Sequence, residues 1–187
     1  MLAPTTRPIA CIPAAPRTII LLAVVASVLS LAAPAAAGPR AAAALALCAR
    51  ADALTGDARE AILDRALATA ERAVEANDAD ADAHFAVFCA LGKQLRDEGF
   101  ALTAFAKLRR ARAAVDRALA LNPDHVPALV GKGAALIETP AIAGGNAERG
   151  RELLRRALEL DPENMAAHLY LAQADGGRPL AVAHSGP

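Results

Sequence analysis

The sequence is poor in aromatic residues. Phe, Tyr and Trp together make up 3% of its 187 residues, Trp is absent, and strand-favouring runs of Val, Ile, Tyr and Phe hardly occur beyond the N-terminus. Alanine instead supplies most of a hydrophobic fraction of 55%, and alanine loses the least side-chain entropy on entering a helix. The composition therefore predicts an all-helical protein, and the length allows one domain with a substantial core.

The chain also lacks an excess of charge of either sign, with 20 basic and 20 acidic residues. Such a balance provides no long-range attraction to nucleic acid or to an anionic membrane, so we expect no nucleic-acid partner. A local basic run, KLRRAR at 107–112, lies in a helical pattern without interleaved aromatics. It indicates a solvated helix face, and a patch for an anionic partner is the alternative.

Motifs for catalysis or metal binding are missing as well. No G-x-S-x-G or H-E-x-x-H occurs, and AGGNAERG is not followed by the G-K-[ST] of a phosphate loop. The run DADAD at 78–82 resembles the start of a calcium loop, but Ala83 and Cys89 stand where that loop needs Gly and Glu. His125 follows a proline turn, where we expect a surface helix cap. The sequence therefore predicts a protein that is not an enzyme and has no cofactor and no metal site.

Residues 1–37 have the order of a secretory signal. Arg17 precedes an apolar stretch from Ile19 to Leu31, and small residues up to Ala37 follow Pro34. We therefore expect a signal peptide cleaved after Ala37 and an exported protein, periplasmic or secreted. The alternative is an uncleaved N-terminal membrane anchor, although Pro34 interrupts the stretch before the ~20 apolar residues of a spanning helix are reached.

Cleavage would remove Cys11 and leave Cys48 and Cys89. In an oxidising compartment such a pair suggests a possible disulfide. The alternative is that both are small, buried, apolar residues on helices. Without a neighbouring His or Cys cluster, the two thiols do not make a zinc site.

One octet recurs three times, as ERAVEAND at 71–78, DRALALNP at 116–123 and RRALELDP at 155–162. Proline cannot continue a helix, so each octet ends one. A second helical segment follows each ending and opens with acidic or cap-forming residues, and Asn146 is expected to cap a further helix. The unit is helix, stop, helix, and the pattern predicts seven helices, at 41–54, 57–76, 80–97, 100–121, 125–138, 146–160 and 163–174.

An Ala five residues before a Pro, in an A-L-x-L-[DN]-P ending, resembles the second-helix signature of tetratricopeptide repeats, whose usual period is ~34 residues. Asp78, Pro123 and Pro162 are 45 and 39 positions apart, which indicates insertions between the two helices of a repeat. The family's small-residue positions hold Ala66, Ala111, Gly133 and Gly150, and its customary Trp position holds His84, Leu129 and His168. Long helices and the P-x-x-x-G-G loop at 140–145 look like exported bacterial members, among them the T-component of tripartite ATP-independent periplasmic transporters, and more distantly like regulators of microtubule dynamics.

The resemblance implies a solenoid of helical hairpins over residues 38–175, followed by a disordered tail at 176–187. His84 and His168 would then serve packing, with a ligand role as the alternative. The family binds partners on the concave face formed by first helices, and the positions that match are Phe85, Val130, Ile137 and Leu169. The same apolar face could instead be covered by another helix or by a second copy in a homo-oligomer.

The function implied is a non-catalytic module for protein–protein interaction or assembly in the periplasm or cell envelope, with a protein or peptide partner. The alternative is a transport accessory that handles a small apolar ligand together with a solute-binding protein. In either function we expect the protein to be attached to a membrane only if the signal segment stays uncleaved.

Overall fold

The computed structural model describes residues 38–98 and 104–176, which belong to a single contact unit, Ala36–Pro187. The predicted signal peptide and residues 177–187 of the predicted tail lie outside these ranges. The described residues contain no strand and two short 3₁₀ turns, Ala51–Ala53 and Ala141–Ala143. They form the seven predicted helices, α1 Pro39–Arg50, α2 Gly56–Ala76, α3 Ala81–Glu98, α4 Ala104–Leu121, α5 Val126–Glu138, α6 Ala147–Leu160 and α7 Met165–Ala174.

The helix ends differ from the predicted ones mainly at α1. This helix begins at Pro39, two residues earlier than expected, because proline fits the first turn, where its missing N–H is not needed. It ends at Arg50, and the 3₁₀ turn Ala51–Ala53 replaces the predicted last turn. The predicted start of α4 at residue 100 lies outside the described residues.

The three octets end in the same turn. In each, the residue after the helix donates its backbone N–H to the carbonyl of a buried alanine four positions earlier, at 3.0, 2.9 and 2.8 Å. The backbone N–H three residues further on then donates to the carbonyl of that first residue after the helix, at 3.2, 3.2 and 3.1 Å. The octet therefore repeats because one alanine-anchored turn is built three times, from Ala73 and Asn77, from Ala118 and Asn122, and from Ala157 and Asp161.

The helix after each turn is capped by the residue that closes the turn, although the three capping residues differ. Asp80 Oδ1, His125 Nδ1 and Asn164 Oδ1 each accept the backbone N–H three residues ahead, at 3.3, 3.1 and 3.1 Å. A carboxylate, an imidazole and an amide satisfy the same orphan donor. The predicted cap at His125 is confirmed, but its predicted surface position is wrong. The side chain is buried because its ring packs against Phe85.

Consecutive helices pack as hairpins. α1 packs against both α2 and α3, α2 against α3, α3 against α4, α5 against α6, and α6 against α7. Alanine makes these contacts close, because its methyl group lets two helix backbones approach. Examples with no exposed surface include Ala44, Ala66, Ala70, Ala86 and Ala90. The fold is an all-helical stack of hairpins, as the sequence predicts.

One junction in the stack is much looser than the rest. α5 touches α4 and α3 far less extensively than α3 touches α4 or α5 touches α6. The hairpins α3–α4 and α5–α6 are therefore separated by a gap, which contains a cavity.

Candidate functional site

A cavity of about 670 Å³ lies between α3, α4 and α5. The loop after α5 borders it through Thr139, Ala143 and Gly144, and Tyr170 of α7 also lines it. Its walls are mostly apolar. The aliphatic part of the lining comprises Leu95, Ala104, Leu108, Ala111, Val115, Val130, Ala134, Ala135 and Leu136.

Aromatic residues are concentrated at this cavity. The chain has four Phe and one Tyr, and the four that fall in the described residues, Phe85, Phe88, Phe105 and Tyr170, all line it. The fifth aromatic residue, Phe100, lies outside the described ranges. Phe105 is 59% exposed, so a large apolar ring stands in solvent at the edge of an apolar cavity.

Phe88 of α3 packs against Gly131 of α5. A Cβ atom on Gly131 would lie 2.6 Å from Cε1 of Phe88, so only glycine allows this approach. The Phe85 ring packs beside Phe88, with centroids 6.1 Å apart, and its other neighbour is the imidazole of His125 at 5.2 Å. The Phe85 and Phe88 rings of this cluster line the cavity, and His125 packs behind Phe85.

Charged side chains border the apolar walls, and several are paired within the chain. Lys132 Nζ lies 2.6 Å from Asp116 Oδ1. Arg112 Nη2 donates to the carbonyl of Ala143 at 2.6 Å and ties the loop after α5 to α4. Arg96 and Glu138 complete the charged border. Because the charges are of both signs, the cavity gives no strong preference for an anion or a cation.

The structure brings together two of the four site residues expected from the sequence. Phe85 and Val130 line the cavity. Ile137 faces α6 instead, and its Cγ1 would lie 2.7 Å from a Cβ atom on Gly150. Leu169 is 44% exposed on α7 and does not line the cavity. Sequence reasoning missed Phe88, Phe105 and Tyr170, although the placement of the few aromatic residues was a signal that could have found them.

Cys48 and Cys89 meet behind the cavity and are free thiols. Cys48 is buried in a cluster with Ala66 and Ala90, and Cys89 packs on that cluster while also lining the cavity. A hydrogen bond to Cys89 and burial raise the pKa of Cys48. The same hydrogen bond lowers the pKa of Cys89, with help from the positive charges of Lys93 and Arg96. The predicted disulfide stays a prediction.

Residues 38–98 and 104–176 show neither a membrane-spanning helix nor a metal-binding cluster. None of the helices there has the length and apolar character needed to cross a membrane. In the same residues, no three His, Cys, Asp or Glu side chains are grouped so that they could hold a metal ion.

No protein-family model matches the chain, and no curated protein matches it either. Among solved structures it is similar to the first tetratricopeptide-repeat domain of Spaghetti (RPAP3), solved bound to the HSP90 peptide SRMEEVD. The match has 22% sequence identity and a TM-score of 0.48, and it covers 71% of this chain and 90% of that one. At a TM-score below 0.5, the peptide bound by that domain carries no weight for this chain.

Proposed function

We propose that this chain is an exported, non-catalytic binding module of the periplasm or cell envelope, which holds an apolar segment of a partner protein in the cavity between α3, α4 and α5. The observation that carries the proposal is the concentration of aromatic residues. An aromatic-poor chain has every aromatic side chain of its described residues at one cavity, and aromatic residues are enriched at the core of protein interfaces.

The open edge of the cavity supports a protein partner. Phe105 is more than half exposed, and burying such a ring contributes roughly 1.5–3 kcal/mol. The paired charges at the border suit the polar rim that surrounds an apolar interface centre. A tetratricopeptide-like stack of hairpins, as the sequence resemblance implies, would present this surface at a junction between repeats.

A second function is favoured by the cavity volume. About 670 Å³ falls within the ~300–1,000 Å³ of sites that bury small molecules. It therefore fits the transport accessory expected as the alternative, in which a small apolar ligand is handled together with a solute-binding protein.

Site-specific photo-crosslinking tests the proposal. A photoreactive phenylalanine analogue replaces Phe105 at the cavity edge, and in a matched chain it replaces Leu169, which is exposed but outside the cavity. The full chain is expressed in its own cells, irradiated and recovered. We expect an adduct with one envelope protein from position 105 and none from position 169.

Gly92 provides a blocking variant and its control. It lines the cavity, and a Cβ atom there meets nothing within 4 Å. Gly92→Phe should fill the cavity and abolish the adduct, whereas Gly92→Ala should leave it. An adduct that survives Gly92→Phe would contradict the cavity as the site. Capture of a solute-binding protein or transporter subunit would favour the accessory function, and self-adducts alone would assign this face to assembly.

Export has its own test. The chain recovered from the envelope fraction should begin at Gly38 on N-terminal sequencing. A chain that retains residues 1–37 and sediments with membranes would support the anchored alternative.

A further inference from the structure

The two thiols at the cavity wall occupy different environments although they touch. Cys48 on α1 is 1% exposed, so solvent does not reach its thiol directly. Cys89 on α3 is half-buried and forms part of the cavity wall. An oxidant that enters the cavity therefore meets Cys89 first, and Cys48 lies directly behind it.

The two thiols also differ in acidity, and this difference again makes Cys89 the first to react. The thiolate is the nucleophilic form of cysteine. Because Cys48 donates its S–H to Cys89 and is buried, the pKa of Cys48 is raised. The pKa of Cys89 is lowered by accepting that hydrogen bond and by the nearby cations of Lys93 and Arg96. Cys89 is therefore suited to attack an oxidant first. Once the Cys89 sulfur is bound in a mixed disulfide, its negative charge no longer raises the pKa of Cys48, and Cys48 can then lose its proton and attack.

We infer that Cys48 and Cys89 form a reversible dithiol–disulfide pair that is oxidised through the cavity by a small disulfide compound. The Cys89 thiolate attacks one sulfur of the oxidant, which forms a mixed disulfide on Cys89 and releases one thiolate. Cys48 then attacks the Cys89 sulfur and breaks the mixed disulfide. The second thiol of the oxidant leaves with the proton from Cys48. The pair is oxidised by two electrons, and the disulfide compound is reduced to one thiolate, which takes its proton from solvent, and one thiol.

The closed bridge would join α1 to α3, two helices that already pack together. Closure needs the sulfur atoms to move from contact to about 2.05 Å. It removes an ionisable group from the cavity wall, so the oxidised cavity is more apolar than the reduced one. The pair thus gives the cavity two chemical states, whichever partner occupies it.

The first experiment uses the full chain carrying Cys11→Ser, so that only Cys48 and Cys89 react, with oxidised glutathione as the probe. We expect both free thiols to be lost, the mass to fall by two hydrogen atoms without a glutathione adduct, and dithiothreitol to reverse the change. In this background, Cys48→Ser should accumulate glutathione on Cys89, and Cys89→Ser should stay largely unmodified. Persistence of both thiols, disulfide-linked dimers, or equal reactivity of the two single-cysteine chains would overturn the inference.

The second experiment tests the route through the cavity. Gly92 lies one helical turn after Cys89 and opens into the same space. In the Cys11→Ser, Cys48→Ser chain, Gly92→Phe should slow glutathione addition to Cys89 severalfold relative to Gly92→Ala. Gly92→Leu replaces Gly92→Phe if circular dichroism shows that the larger side chain unfolds α3. Equal rates in the filled and open variants would show that the oxidant does not enter through the cavity.

Discussion

The backbone N–H of Gly38 donates to Oδ2 of Asp80 at 3.0 Å. The other carboxylate oxygen of Asp80 accepts the N–H groups of Asp82 and Ala83 and so caps α3. A Cβ atom at position 38 would lie 2.8 Å from Oδ2, so glycine permits this contact. One carboxylate therefore joins the start of α1 to the start of α3.

This contact yields a prediction about processing. Cleavage after Ala37 would convert the Gly38 amide into an α-ammonium, and a hydrogen bond to a charged group contributes ~1.5–3 kcal/mol, against ~1 kcal/mol for a neutral one. Asp80→Asn keeps an oxygen for the cap but removes the charge. We expect it to lower the free energy of unfolding more in the chain that begins at Gly38 than in the full chain, measured by urea denaturation. An equal loss in both chains would contradict the expected ion pair.

A second prediction concerns the crossing of α5 and α6. A Cβ atom on Gly150 would lie 2.7 Å from the Gly133 carbonyl oxygen and 2.7 Å from Cγ1 of Ile137, so the helices must separate to accept it. Gly150→Ala should lower the free energy of unfolding by ~1–3 kcal/mol, the usual effect of overpacking. Gly92→Ala is the control, because its Cβ meets open space and alanine favours a helix over glycine by ~0.5–1 kcal/mol. The midpoint of thermal unfolding should fall for Gly150→Ala and rise for Gly92→Ala. A shift of both midpoints in the same direction would refute the packing argument.

The repeated features were the part of the fold that sequence reasoning could predict. His84 and His168 occupy the same predicted repeat position, and their Nε2 atoms lie 3.0 and 2.9 Å from the carbonyl oxygens of Asp78 and Pro162, each six residues earlier. The two rings therefore make the same contact with the preceding turn, but only His84 is buried. His168 is exposed, so the expected packing role is wrong for His168. Gly133 and Gly150 are likewise predicted small-residue positions, and they face each other where α5 packs against α6.

The cavity could not be predicted in the same way. A repeat register treats every junction between hairpins as equivalent, so it places Ile137 and Leu169 on the same face as Phe85 and Val130. Among the described helices one junction is loose, between α4 and α5, and the residues around this gap come from α3, α4, α5, α7 and the loop after α5. Which junction opens depends on how far each pair of helices approaches, and the spacing of residues along the chain does not specify that distance.

A third prediction concerns the cap of α6. Asn146 Oδ1 accepts the backbone N–H of Arg149 at 2.9 Å, as the sequence predicted for this position. Asn146→Ala should lower the free energy of unfolding by ~1 kcal/mol, the typical cost of a lost N-cap. Asn146→Asp retains the acceptor and adds a favourable negative charge at the helix start, so its stability in urea denaturation should equal or exceed that of the unmodified chain. If the Asp variant were as unstable as the Ala variant, the cap would not explain the loss.

The final prediction links the cap of α5 to the cavity. His125 accepts the N–H of Ala128 through Nδ1 at 3.1 Å, and its Nε2 lies 3.1 Å from Oδ1 of Asp82. The neutral ring that accepts at Nδ1 carries its proton at Nε2 and donates it to Asp82. The same ring supports Phe85 at the end of the cavity, with centroids 5.2 Å apart.

His125→Ala removes the cap, the bond to Asp82 and the ring contact, and should lower the free energy of unfolding by ~2–4 kcal/mol if each contributes about 1 kcal/mol. His125→Asn retains a cap acceptor and should recover ~1 kcal/mol of that loss. Because the Phe85 ring loses its neighbour in both variants, both should weaken the photo-crosslink from position 105. Urea denaturation and adduct yield separate the two effects: a stable Asn variant with full adduct yield would show that His125 serves the helix start alone and does not position Phe85.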